Sequence, residues 1–222
     1  MKTTSLLLLV TAFFLRCSQT KQQETFEGTI TYKISVTANS ENVNYNEYQI
    51  QKYGDKVILS IAKNGSFKRA FISSGQKGFD FFIYNSVTNK CYTKWRNIDT
   101  IYSSSCSENS LTLTSEKDLP SENINGQSCE GFFISGIDPR GGQPVSMTYF
   151  YSKDKEYINP TLYKDYKDGF YDKAIGKMKA PFYKLIMDME KYTVTYDIEK
   201  IENGGISSGI INLPSNVLIK EM

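Results

Sequence analysis

Histidine is missing from all 222 residues. That removes the commonest general base and the commonest metal ligand at neutral pH. Cysteine is scarce: Cys17, Cys91, Cys106 and Cys129, with no C-x-x-C pair among them. Zinc sites use such close pairs, so no metal centre and no cofactor is expected. Charge of one sign is lacking as well, with 26 Lys and Arg against 24 Asp and Glu. Removing residues 1–16 would take Lys2 and Arg16 and no acid, leaving 24 against 24. Such a chain builds no positive field for nucleic acid, and none is expected as a partner. Lysines and acids alternate along it, the pattern of a solvated face. Long apolar runs are absent too. The longest, Leu6–Leu15, is broken by Thr11 and falls short of the roughly 20 residues of a membrane span.

That run, behind Lys2, has the form of a secretory signal peptide over residues 1–16. Ser18–Glu24 contains no apolar residue and reads as a flexible tether over residues 17–24. Cys17 stands where a bacterial lipobox places its acylated cysteine. Phe14, Leu15 and Arg16 precede it, and Arg16 occupies a place that favours a small side chain. Two readings stand: an acylated Cys17 that anchors the protein to a membrane, or a soluble exported form cut nearby. Residues 25–222 suffice for a single domain with a full core. In an oxidising compartment Cys91 and Cys106 would close a loop of about 15 residues, worth about 3 kcal/mol. The other reading makes all three downstream cysteines small buried hydrophobes. Cys129 is left over and buried.

The body of the chain reads as β-structure. Phe26, Gly28, Ile30, Tyr32, Ile34 and Val36 alternate with polar residues, the period of a strand with one wet face. Tyr48 and Ile50 extend the pattern. Tyr53–Lys56 is a turn into Val57, Leu59 and Ile61. Asn64-Gly65 signals a hairpin, returning through Phe67, Arg69 and Phe71. Further strands are expected at 79–84, 90–95, 100–104, 110–114, 127–135 and 145–151, then at 185–189 and 192–198, with a loop at 138–142. Leu213-Pro214 closes the domain. Helical periodicity occurs once. Asn159 and Pro160 take cap and first-turn positions, and Leu162, Tyr166, Phe170, Ala174 and Met178 recur at i+4. The expected fold is mainly β: a strongly curved antiparallel sheet, or incomplete β-barrel, with one lid or plug helix at about 160–178.

Catalytic chemistry finds no footing. Ser60-x-x-Lys63 matches a penicillin-recognising motif, but it falls in a strand, where residues three apart face opposite sides. The serines at 103–105 and 107 have no histidine to activate them. Asp165, Asp168 and Asp172 are spread along one helix rather than converging on a loop, which is not how calcium is held. Asp80, Asp188 and Glu190 alternate with apolar neighbours and face water. No catalytic residue is assigned, and the chain is not expected to be an enzyme.

The C-terminal half carries a resemblance. Ile124–Phe132 is similar to an I-x-G-x-x-C-x-x-(Y/F) element, and Ala180–Leu185 to a G-x-P-(L/I) element. Tyr192–Ile198 resembles the form Y-x-V-x-x-I with one residue more before the isoleucine, and Ile211–Pro214 resembles F-x-L-P; Phe182 and Ile211 are departures. This order resembles the uncharacterised LolA/LolB-like envelope lipoproteins over residues 26–216. The resemblance implies an incomplete antiparallel barrel with a helical lid over a hydrophobic cavity. It also implies a gram-negative envelope location, outer-membrane-anchored or periplasmic. No gating residue of the carriers has a match in this chain.

Aromatic residues are abundant, with 16 Tyr and 13 Phe. They are enough to fill a core and still line a ligand site. The expected ligand is an acyl chain or a lipoprotein lipid. Its expected lining is Ile30, Tyr32, Leu162, Tyr166, Phe170, Met178, Leu185 and Met187. The alternative is a protein-interaction module with the same fold, a filled core and exposed tyrosines as contacts.

Overall fold

The computed structural model describes residues 24–38 and 40–222. The expected signal peptide, most of the expected tether and Cys17 therefore lie outside the described residues. Twelve strands form one sheet: β1 (Gly28–Ala38), β2 (Lys56–Ile61), β3 (Phe67–Ile72), β4 (Phe79–Asn85), β5 (Lys90–Trp95), β6 (Thr100–Ser105), β7 (Thr112–Ile124), β8 (Gln127–Ile137), β9 (Pro144–Tyr151), β10 (Phe182–Asp188), β11 (Tyr192–Asn203) and β12 (Leu218–Glu221). Their spatial order is β12-β6-β5-β4-β3-β2-β1-β11-β10-β9-β8-β7. Two antiparallel meanders, β1–β6 and β7–β11, thus meet where β1 pairs with β11. The sheet curves without closing into a barrel, as the alternating pattern and the resemblance led one to expect.

Curvature divides the core. On the inner face, Ile30, Tyr32 and Ile34 of β1 join Val57, Leu59, Phe67, Phe132, Tyr149, Leu185 and Tyr196 in one buried cluster. A smaller cluster on the outer face contains Phe81, Ile83, Ile101 and Ile211. It explains why β4 carries bulky residues in both phases. The C-terminal segment, through Ile206, Ile211, Leu213 and Val217, covers that outer patch. The segment then continues past Leu213-Pro214 into β12, which pairs parallel to β6. This edge strand is a short run of four exposed residues, too little for an alternation to be read.

Two expectations are corrected. Tyr48 and Ile50 do not extend a strand; they lie in helix α1 (Val43–Tyr53) and are 39% and 49% exposed. The Asn42 side chain accepts from the Tyr45 N–H at 3.1 Å, which supplies the missing N-cap. Gly54, at φ 71°, ends the helix in a conformation that suits glycine. The 160–178 helix is also not continuous. Pro160–Tyr163 and Asp168–Phe170 are 3-10 turns, and only α2 (Tyr171–Met178) is α-helical. Gly169 and Phe170 both adopt left-handed φ, 61° and 57°, and turn the chain between them. The apolar stripe nevertheless faces inward: Tyr166, Phe170, Ala174 and Met178 are all buried.

Strand β7 is longer than the expected 110–114 strand, and almost every residue in it is exposed. Its charges, together with Pro120, suit an edge that must refuse further pairing.

Cys91 on β5 and Cys106 just after β6 are joined in a disulfide across 15 positions, and Cys129 is free and buried. Burial pushes the Cys129 thiol up, so it behaves as a core residue. Reducing the Cys91–Cys106 link is expected to lower stability by about 2–4 kcal/mol. Urea unfolding with and without reductant measures this, and an unchanged midpoint would contradict it.

Candidate functional site

One excursion of the chain covers the inner face. It leaves β9 and returns as β10, and its ends are pinned to each other: the Ile158 N–H donates to the Lys179 carbonyl at 2.9 Å. Between these residues the chain forms a cap whose buried side is Tyr163, Tyr166, Phe170, Ala174, Ile175 and Met178. Asn159 starts it as expected, its side chain accepting from the Thr161 N–H at 3.1 Å.

The cap rests on aromatic rings. Tyr166 stacks on Tyr84 of β4, ring centroids 4.5 Å apart, and on Tyr171 of α2 at 4.6 Å. Phe67 of β3 lies beneath them, 5.6 Å from Tyr171 and 6.3 Å from Tyr166. Two glycines receive the cap where a side chain would obstruct it. A Cβ on Gly136 of β8 would come within 2.8 Å of the Phe170 ring, and one on Gly65 within 2.8 Å of the Leu162 Cβ. The left-handed backbone of Phe170 is unfavourable for a bulky residue and is held by this seating.

Polar contacts close the far side. The Lys167 N–H donates to the Cys106 carbonyl at 2.7 Å, so the disulfide holds one of the cap's docking points. Asn89 donates to the Asp165 carbonyl at 2.8 Å, and the Ser110 hydroxyl to Asp168 at 2.6 Å. Lys173 pairs with Glu116 at 3.0 Å and Lys177 with Asp118 at 2.7 Å, both exposed pairs on β7. Such pairs contribute about 0–1 kcal/mol each.

All eight expected lining residues meet in this region. Ile30, Tyr32, Tyr166, Phe170, Met178 and Leu185 belong to the inner cluster, and Leu162 and Met187 pack against it. Tyr32 stacks on Phe182 at 4.6 Å, and its hydroxyl donates to the Phe182 carbonyl at 3.0 Å. They enclose little space. A small void in the inner face, lined by the sheet residues Tyr32, Val57, Leu59, Arg69, Phe182, Leu185 and Tyr196, has a volume of about 10 Å³, room for about one water. The larger clefts lie elsewhere. One of about 740 Å³ separates the C-terminal segment from the outer face near Ile83, Tyr92 and Ile206.

The inner face differs from a hydrocarbon core in its hydroxyls. Desolvation pushes the Tyr84 phenol up to about 12, with help from the Asp165 charge. Desolvation also pushes Tyr196 up to about 12 against the opposing charge of Arg69. Tyr32 and Tyr163 are raised further by the same cause. Arg69 of β3, in phase with Phe67 and Phe71, is a cation on this face that the sequence analysis did not single out. Of the residues weighed for catalysis, Asp80, Asp165, Asp188 and Glu190 are exposed, and Lys63 is exposed while Ser60 is buried. Among the described residues no group of three Cys, Asp or Glu converges as a metal site would require.

No family model matches the chain, and no curated protein does. Two solved structures are similar to it in shape. One is LppX, a lipoprotein of Mycobacterium tuberculosis: TM-score 0.39, 9% identity, over 82% of this chain and 89% of that one. The other is LprF from Mycobacterium bovis: TM-score 0.34, 10% identity, over 79% of this chain and 85% of that one.

The buried phenols set a limit in alkali. Unfolded tyrosine ionises near pH 10, while Tyr84 and Tyr196 hold their protons to about 12 in the fold. The folded state then binds more protons than the unfolded one, so stability is complete below pH 10 and is lost as pH rises towards 12. Each such tyrosine removes up to about 1.4 kcal/mol per pH unit in that window. Urea midpoints measured from pH 8 to 11 are expected to fall above pH 10; a flat profile would contradict the burial of these hydroxyls.

Proposed function

We propose that this chain is a non-enzymatic exported protein that binds a hydrophobic ligand, an acyl chain or a lipid, between its curved sheet and the 158–179 cap. The observation that carries this reading is the construction of the cap. Its two ends are joined at Ile158 and Lys179. Its far side is held by a few side-chain and backbone contacts, and its backbone is strained at Phe170. A segment so tied swings about its base at a lower cost than unfolding the sheet. Raising it exposes a continuous apolar face, and a ligand chain re-covers that face with about 25 cal/mol gained per Å² buried. Cys17 is proposed as the acyl anchor that would hold the protein at an envelope membrane, with residues 1–16 removed.

The small void supports a second reading. A core already filled beneath the cap suits an interaction module that presents its surface, including the exposed Tyr48, to a protein partner.

Uptake of a fluorescent fatty acid separates the two. The ligand-binding reading expects saturable uptake by the wild-type protein. It expects roughly five-fold faster uptake by Lys173→Glu/Lys177→Glu, since two exposed pairs together contribute on the order of 1 kcal/mol. Absence of uptake by both proteins, with no lipid co-purifying by mass spectrometry, would leave the interaction module.

A further inference from the structure

Arg69 is a cation on the wrong face. It lies in β3 two residues from Phe67 and two from Phe71, opposite Leu59 of β2 and Phe82 of β4. Strand alternation places it with these apolar side chains, where charges are rare unless paired. Its guanidinium carbon is 5.3 Å from the Phe67 ring centroid and 5.7 Å from that of Phe82. It lines a small void in the inner face together with Tyr32, Phe182 and Leu185.

No carboxylate answers it. The nine ion pairs among the described residues all join other side chains. Its polar surroundings are phenols: Tyr171 and Tyr166 from the cap, Tyr196 and Tyr149 from the sheet. Burial opposes its charge, and the high intrinsic basicity of the guanidinium keeps it protonated at neutral pH. Arg69 is half-buried, and a leucine at this position would complete the apolar face without the cost of partly desolvating an unpaired charge. The sheet keeps the arginine instead.

We infer that the missing anion arrives with the ligand: Arg69 receives the anionic group, carboxylate or phosphate, of a single-chain amphiphile whose tail lies along Tyr32, Phe182 and Leu185. This rests on the ligand-binding reading above and names its ligand class. A guanidinium presents two parallel N–H donors to such a group. Tyr166 and Tyr171 pack on the same Phe67 ring as the guanidinium and carry hydroxyls able to donate to remaining lone pairs. Because Tyr166 and Tyr171 belong to the cap, the bound anion would also draw the cap down over the ligand.

The test compares palmitate, a lysophosphatidate of the same chain length, and hexadecanol, each displacing a fluorescent fatty-alcohol probe from the folded protein. The wild-type protein is expected to bind one of the two anions at least ~10-fold more tightly than hexadecanol, the scale of a charge-assisted pair. Preference for palmitate assigns a carboxylate, and preference for lysophosphatidate a phosphate. Arg69→Met is expected to abolish the preference while leaving hexadecanol affinity within about two-fold; Arg69→Lys is expected to keep part of it. Hexadecanol binding as tightly as both anions, or a preference that survives Arg69→Met, overturns the role of Arg69 while ligand binding stands. Binding of none of the three overturns both readings. Should Arg69→Met fail to fold, Arg69→Gln takes its place with the same expected and contradicting results.

Discussion

A curved sheet that does not close leaves one apolar face that cannot stay in water. Every other feature of this protein follows from covering it. Twelve strands in one sheet produce an inner face lined by Tyr32, Leu59, Phe67, Tyr149 and Tyr196, and among the described residues no second sheet buries it. The cover comes from within the meander, as the connection from β9 to β10. The two free edges are managed separately. β7 is polar along nearly its whole length and carries Pro120, and β6 is shielded by the short parallel β12. The outer face needs cover only over β4–β6, and the C-terminal segment supplies it.

The cap joins two kinds of interaction that respond differently to ligand. Its aromatic contacts with Phe67 and Tyr84 are non-directional and are replaceable by an acyl chain. Its polar contacts at Ser110 and β7 are exposed and that at Cys106 is buried, and together they set where the cap lands. The Cys91–Cys106 bridge fixes the landing site without touching the hinge. Phenols in place of phenyl rings let one surface face both hydrocarbon and a guanidinium. This is how Arg69 is tolerated among residues that would otherwise exclude it.

Much of this was legible in the residues. Alternation located β1, and Asn64-Gly65 placed the β2–β3 turn, although only Gly65 takes positive φ there. The i+4 stripe from Leu162 to Met178 identified residues that pack on the sheet, yet not the helix that was inferred from it. Periodicity reports which side chains face inward, and three short pieces bent at Gly169 and Phe170 satisfy the same condition as one long helix. Tyr48 and Ile50 misled because alternation over so few residues fits either element, and the Asn42 cap decided between them. β12 was invisible because a four-residue exposed strand has no pattern. Arg69 left a trace in the phase of Phe67 and Phe71, but the absence of a partner carboxylate is a fact of three dimensions.

The central claim is that the cap opens independently of the sheet beneath it. Hydrogen exchange under native conditions tests this most directly, by comparing the amides of 158–179 with those of β1 and β11. The account predicts that cap amides bonded outside the cap, Lys167 to the Cys106 carbonyl and Gly169 to the Asn109 side chain, exchange through an opening clearly less costly than global unfolding, and that β1 amides exchange only through global unfolding. Equal protection of cap and sheet would mean that they separate only together, and would contradict the account.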